Sequence, residues 1–223
     1  MIAVQCWDDG VHDDIRLIEI LRKHKAKGSF NLNIGRHQQK RAGGWNNQGK
    51  EVYILSLGEL KDVYEGVLVA NHTVSHPSLA EIPVEQATRE VREGRERLEQ
   101  HFGYAVEGFA YPNGSHSPAV HEIVREAGHL YARTCENADH VFPVADPMNQ
   151  RTQCHFMAED FWARFEKVKA ADGVFYFWGH SYEIMNEKEW ADFEDKIERI
   201  SREAEWKDLP ELFKDGGPGT KRA

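Results

Sequence analysis

Short apolar runs recur along the chain, each ending at a polar or glycine-bearing break and most followed by a stretch with helical spacing. Residues 2–7 predict a buried strand that stops at Asp8-Asp9-Gly10. Ile15, Leu17, Ile18, Ile20 and Leu21 then predict a helix to about residue 24, with Asp13 and Asp14 suited to its N-terminus. Residues 28–32 predict a second strand. The stretch 35–50, with Gly43-Gly44, Asn46-Asn47 and Gly49, predicts a long loop and a candidate substrate wall. Ser56 and Glu59 match a capping box that opens a short helix, after which Gly66 precedes a strand at 67–71. A long charged helix at 83–102, closed by Gly103, leads to a brief strand at 108–111 and a turn at 112–114. Ser117-Pro118 caps a helix to about residue 127, followed by a strand at 130–134. Residues 136–150 read as a loop and 151–156 as one short strand. Helices at 158–171 and 187–206 flank an apolar strand at 173–178. Residues 215–223 read as a disordered tail, leaving 1–214 as a single domain.

This alternation predicts parallel α/β architecture, either a barrel of seven or eight units or an open doubly wound sheet. Asp8, Asp9, His72, His76, residues 111–114, Arg133 and His180 all fall at the C-terminal ends of different predicted strands. A barrel gathers such ends on one rim, whereas an open sheet gathers only those beside its crevice. Neither Gly-x-Gly-x-x-Gly nor Gly-x-x-x-x-Gly-Lys occurs, so nothing supports dinucleotide or P-loop binding.

Composition narrows the partners. The 223 residues are 40% hydrophobic, enough for one sizeable core. With 28 basic residues against 37 acidic ones, the net charge of −9 argues against a nucleic-acid or membrane partner. The 3 cysteines are far apart and lack a Cys-x-x-Cys spacing, which predicts reduced thiols and no thiolate zinc site. The N-terminal residues show no signal-peptide pattern, so the chain as given reads as cytoplasmic, as would one with a trimmed leader.

The chemistry centres on His72 and His76, four positions apart behind an apolar run. Spacing alone carries little in a chain with 12 histidines. Two imidazoles with a carboxylate from Asp8 or Asp9 make a three-ligand set for a divalent ion, Zn²⁺ first, with Co²⁺, Ni²⁺ or Mn²⁺ as alternatives. Adjacent residues leaving a strand diverge, so one acid can bind metal while the other serves as a base. His180, behind Phe177-Trp178-Gly179, is a candidate general acid, and the backbone around Asn113-Gly114 a candidate oxyanion site. Trp7, Trp178 and Tyr182 also read as core aromatics, and His12, His37, His116, His121 and His155 as surface or structural residues. Glu183 is an acid near enough to orient His180.

Taken together, these motifs resemble the polysaccharide deacetylases of carbohydrate esterase family 4, whose NodB-homology domain is a distorted (β/α) barrel of about seven strands. Trp7-Asp8-Asp9-Gly10 resembles the first family motif, which makes Asp8 the base and Asp9 a ligand. The stretch from His72 to Leu79 is similar to the second and implies a metal triad of Asp9, His72 and His76. Residues 109–114 resemble the third, placing Tyr111, Asn113 and Gly114 on the oxyanion and substrate side. Residues 177–180 resemble the fifth, adding Trp178 to that side and making His180 the acid. Ala110 stands where an Arg contacting the base is usual, and the aromatic expected after Pro112 is Asn113. The fourth motif is hard to find. Arg133 is the candidate replacement for the absent guanidinium, in a divergent branch with its own substrate. The resemblance implies metal-dependent removal of an acetyl group, N-acetyl before O-acetyl, from a sugar or polysaccharide. The alternatives are an allantoinase-like hydrolase of a small amide and a catalytically silent carbohydrate-binding module.

Overall fold

The computed structural model describes residues 1–214; the tail at 215–223 lies outside the described residues. Strands β1 (Ile2–Asp8), β2 (Ser29–Leu32), β5 (Leu68–Asn71), β6 (Gly108–Ala110), β7 (Tyr131–Asn137), β8 (Gln150–Thr152), β9 (Cys154–His155) and β10 (Val174–Gly179) form a parallel sheet in the order β8-β7-β6-β5-β2-β1-β10-β9. The sheet curls until it almost closes. β8 pairs with β7 and β9 with β10, so residues 150–155 join the two edges through Gln153. Gln153 stitches that seam. Its N–H donates to Tyr176 O at 2.8 Å, its Nε2 to Val174 O at 3.0 Å, and its Oε1 accepts from Tyr176 N–H at 2.6 Å. The architecture is the expected parallel barrel, with eight strands around the ring, and β11 (Glu205–Trp206) adds to the start of β1.

Helices α1 (Asp14–Lys23), α2 (Leu60–Val63), α3 (Val84–Phe102), α4 (Pro118–Glu126), α5 (Phe161–Ala170) and α6 (Glu187–Glu203) complete the α/β pattern. Strand alternation sorts side chains between two compartments. Trp7, Phe30, Phe175 and Phe177 share a core with Leu17, Leu21 and Ile197 of the helices. Val4, Cys6, Tyr131 and Tyr176 belong to a second, interior cluster closed by Leu209, Leu212 and Phe213. Two residues further along the same strands, period two carries Asp8, Arg133 and Trp178 onto the interior face. The cysteines are free; burial pushes the Cys6 thiol up to about 11 and that of Cys154 to about 12, so both are inert.

Four local expectations are corrected. Residues 35–50 are not one loop: β3 (Ala42–Asn47) and β4 (Lys50–Ile54) pair as an antiparallel hairpin. Gln48 (φ 50°) and Gly49 (φ 94°) turn it, and Asn46 Oδ1 accepts Gly49 N–H at 2.8 Å. β3 holds two glycines and two asparagines around a single large apolar residue, Trp45, leaving no apolar alternation to read. The last helix ends at Glu203 because Ala204 is already extended and leads into β11. The expected strand at 130–134 continues to Asn137, and the one at 151–156 is two strands that pair on opposite sides. Among the described residues, no helix is long and apolar enough to cross a membrane.

Glycine at position 94 lets α3 approach the rim. A Cβ there would meet Asn71 Oδ1 at 2.5 Å and the Thr73 carbonyl carbon at 3.1 Å. Asn71 Oδ1 accepts Thr73 N–H at 2.9 Å, and its Nδ2 donates to Val91 O at 2.9 Å. Helix propensity favours Gly94→Ala by up to about 1 kcal/mol, whereas overpacking against this fixed amide costs about 1–3 kcal/mol. Net destabilisation is therefore expected in chemical denaturation, and an alanine variant as stable as the parent would contradict this account.

Candidate active site

Each side chain of the rim is aimed by its own strand end. Asp8 is the last residue of β1, and its Cα partner on β2 is Asn31. Asn31 Nδ2 donates to Asp8 Oδ1 at 2.6 Å, while the Arg133 guanidinium pairs with Oδ2. Arg133 is 1% exposed, stacks over Trp178 at 4.7 Å and lies opposite Ala110 in the β6–β7 register. Burial raises the Asp8 pKa. The Arg133 charge, with His72, His180 and the Asn31 hydrogen bond, more than reverses this and holds the carboxyl well below the usual carboxylate range.

The following residue takes a different path. Asp9 has φ 86°, Thr73 70° and His76 69°, so both segments that supply donors bend through left-handed backbone. Such strain in a β-branched residue like Thr73 persists only where neighbours enforce it. Here Asn71 takes the Thr73 N–H, and Glu90 of α3 accepts the N–H groups of Val74 and Ser75 at 2.9 and 2.8 Å. Asn33 Nδ2 bonds His72 O, and Thr73 Oγ1 accepts His76 N–H at 3.0 Å.

One donor atom each from Asp9, His72 and His76 lies within 4.8 Å of the others. His76 Nε2 is 3.6 Å from Asp9 Oδ1, and Oδ1 is buried without a hydrogen-bond partner. His72 Nδ1 is 2.8 Å from Ala110 O, which fixes the proton on Nδ1 and frees Nε2. Burial pushes the His72 pKa down to about 4, so the ring is neutral. A neutral imidazole with its second nitrogen anchored, a buried carboxylate oxygen without a donor and a second imidazole fit a divalent cation.

His180 stands across the rim, its Nε2 3.9 Å from Asp9 Oδ2 and 4.0 Å from Asp8 Oδ2. Burial alone lowers its pKa, but the carboxylates of Glu183, Asp8 and Asp9 outweigh burial and raise it. Its backbone N–H donates to Glu183 Oε2 at 3.0 Å. Ser181 bonds the buried Asp14, which also accepts from Tyr64 Oη at 2.6 Å and ties the segment to α1.

The oxyanion expectation is corrected in part. Tyr111 is fully buried, its hydroxyl donates to Met148 O at 2.9 Å and its N–H to Arg133 O at 3.0 Å. Gly114 N–H closes the turn onto Tyr111 O at 3.0 Å. Neither residue offers a donor to the site, because β6 pairing and the tight turn at 112–114 consume them. Asn113 sits exposed on this turn at φ 56°, its Nδ2 3.1 Å from Ser78 Oγ. His155, read as a surface or structural residue, lies beside the rim: its Nε2 is 2.9 Å from Glu183 Oε2, and its ring packs edge-on against Trp178.

Asn31, Asn33 and Glu90 went unread in the sequence. Alternation within β2 carries a signal for Asn31, since Ser29 and Asn31 share one face while Phe30 and Leu32 share the other. The hairpin adds a wall: Trp45 packs edge-on against Tyr182 at 4.9 Å, and Arg36 stacks on Trp45 at 4.9 Å.

A parallel barrel with an Asp-His-His donor set, a second buried carboxylate and a histidine on one rim defines a hydrolase-type centre. Residues 2–132 match the model of the family described as polysaccharide deacetylase. The chain belongs to the polysaccharide deacetylase family. Among relatives, it is 27% identical over 111 residues to the uncharacterized protein YlxY of Bacillus subtilis (strain 168), an overlap of 50% of this chain and 30% of that protein. Among solved structures, it resembles the Streptococcus pyogenes deacetylase PplD in complex with acetate (TM-score 0.55, 21% identity), over 66% of this chain and 61% of that one. It also resembles a family 4 acetyl xylan esterase from Clostridium thermocellum in complex with a cobalt ion (TM-score 0.58, 18% identity), over 96% of this chain and 90% of that one. These likenesses place the fold among carbohydrate esterase family 4 barrels.

Proposed function

We propose that this chain hydrolyses the acetyl group of an acetylated carbohydrate, N-acetyl in preference to O-acetyl, with a divalent metal held by Asp9, His72 and His76. The observation that carries this reading is the convergence of those three donors with the Arg133-bound Asp8 and with His180 on one barrel rim. A divalent ion there supplies Lewis-acid polarisation of a carbonyl and acidifies water. Zn²⁺ or Co²⁺ suits the N/O donor set, and the acetyl xylan esterase neighbour was solved with cobalt.

The chain's own groups divide the remaining work. Asp8, kept ionised by Arg133 and oriented by Asn31, accepts the proton of the attacking water at Oδ2. His180 Nε2, across the rim, delivers a proton to the departing amine. Arg133, in register with Ala110, fills the place of the guanidinium missing there. Trp45 and Tyr182, packed edge-on, offer a flank for a sugar ring.

The test is acetate release from acetylated mono- and oligosaccharides, N- and O-linked, with Zn²⁺, Co²⁺ or a chelator present. Acetate release that the chelator abolishes and added metal restores is expected. Turnover of a small cyclic amide with no acetate released from any sugar would overturn the reading.

A further inference from the structure

Beside the rim lies a second convergence of donors, which shares only the His180 ring with the proposed reaction. His155 ends β9, directly opposite Trp178 of β10, and the chain turns after β10 to bring His180 and Glu183 back over it. His155 Nε2 is 2.9 Å and His180 Nδ1 3.2 Å from Glu183 Oε2, and the three donor atoms all lie within 4.8 Å of one another. Tetrahedral bonds of about 2.0–2.1 Å separate neighbouring ligand atoms by roughly 3.3 Å, so these donors already stand near ligation spacing.

One further observation favours an ion over a simple hydrogen-bonded cluster. His180 Nδ1 is buried, yet the ring is too poorly aligned for a hydrogen bond to Glu183 despite the short separation. His155 Nδ1 accepts the Met157 N–H at 3.3 Å, which places the ring proton on Nε2 toward Glu183; ligation through Nε2 moves that proton to Nδ1 and gives up this long hydrogen bond.

We propose that His155, Glu183 and His180 form a second divalent-cation site that shares the His180 ring with the catalytic rim, so that excess metal is inhibitory. An ion in this site would take the place of the His155 proton facing Glu183, which moves to His155 Nδ1, and would occupy His180 Nδ1, releasing any proton there to solvent, while His180 Nε2 still faces Asp8 and Asp9. A ring coordinated at Nδ1 is a poorer proton donor at Nε2. The inhibition clause rests on His180 being the acid; the binding clause does not.

Chelator-stripped protein is titrated with Zn²⁺ or Co²⁺ against a chromophoric chelator, with acetate release followed in parallel. Two sites are expected in the parent, one in His155→Gln and one in His76→Ala. Filling the weaker site lowers the parent's turnover by about 10²-fold, the scale of a lost general acid. His155→Gln keeps its basal rate and escapes inhibition. Glu183→Gln provides the same binding readout should His155→Gln not fold. A single site in the parent up to millimolar metal, or a second site undiminished in these variants, overturns the proposal. A filled second site without inhibition upholds the site and overturns the acid role of His180.

Discussion

Replacing His76 with alanine is expected to abolish binding of the divalent ion proposed at the rim and to lower turnover by about 10³-fold or more. The size follows from losing Lewis-acid stabilisation worth several kcal/mol, at about 1.4 kcal/mol per decade of rate. His76 is partly exposed and sits on a turn whose shape is held by other groups, Glu90, Asn71 and Thr73 Oγ1 among them. The variant should therefore stay folded, which separates loss of ion from loss of structure. Metal content of the purified protein and kcat on the best acetylated sugar check it together. Full activity with stoichiometric metal would falsify the proposed ligand set.

Arg133→Ala has the second largest expected effect, and it strikes stability as well as rate. Asp8 and Arg133 are 3% and 1% exposed, a buried pair whose separation leaves a carboxylate in the barrel with only Asn31 to bond it. Removing one member of such a pair costs about 3–5 kcal/mol, or roughly 6–20 °C in melting temperature for a chain of this size. The sign with pH follows. In the parent, the lowered Asp8 pKa contributes stability above the ordinary carboxylate range that is lost as pH falls through the folded value. In the variant the largest opposition to burial is gone, leaving His72, His180 and the Asn31 bond; the Asp8 pKa rises, and the deficit is largest at neutral pH and shrinks on acidification. Pairing Arg133→Met with Asp8→Asn should recover part of the stability while leaving the enzyme without its base. Unchanged melting and unchanged turnover in Arg133→Ala would dismiss both the structural and the catalytic account.

Most strands and helices were legible because their apolar positions repeat at the period of the element, and the capping groups agree. The capping box at Ser56 and Glu59, the Ser117 cap and the left-handed Gly103 all stand where local chemistry put them. The hairpin at 42–54 was not legible, since β3, rich in glycine and asparagine around Trp45, carries no apolar alternation. Nor was the split at Gln153, because one extended segment that pairs with two different strands has the same local pattern as a single strand. The spent donors of Tyr111 and Gly114 were hidden for a related reason: which N–H a neighbouring strand or turn consumes is a matter of register, not residue type.

By itself, then, the order of residues determined the alternating α/β class, the placement of Asp8, Asp9, His72, His76 and His180 at strand ends, and the chemical kinds of group available there. Spacing and alternation are local, so they survive in one dimension. Only the tertiary structure decided that Arg133 meets Asp8 across 125 positions, that Asn31 and Glu90 hold the two donor segments, and that His155 and Glu183 converge on the far side of His180. Those contacts depend on barrel closure and strand register, which bring distant strand ends to a common rim.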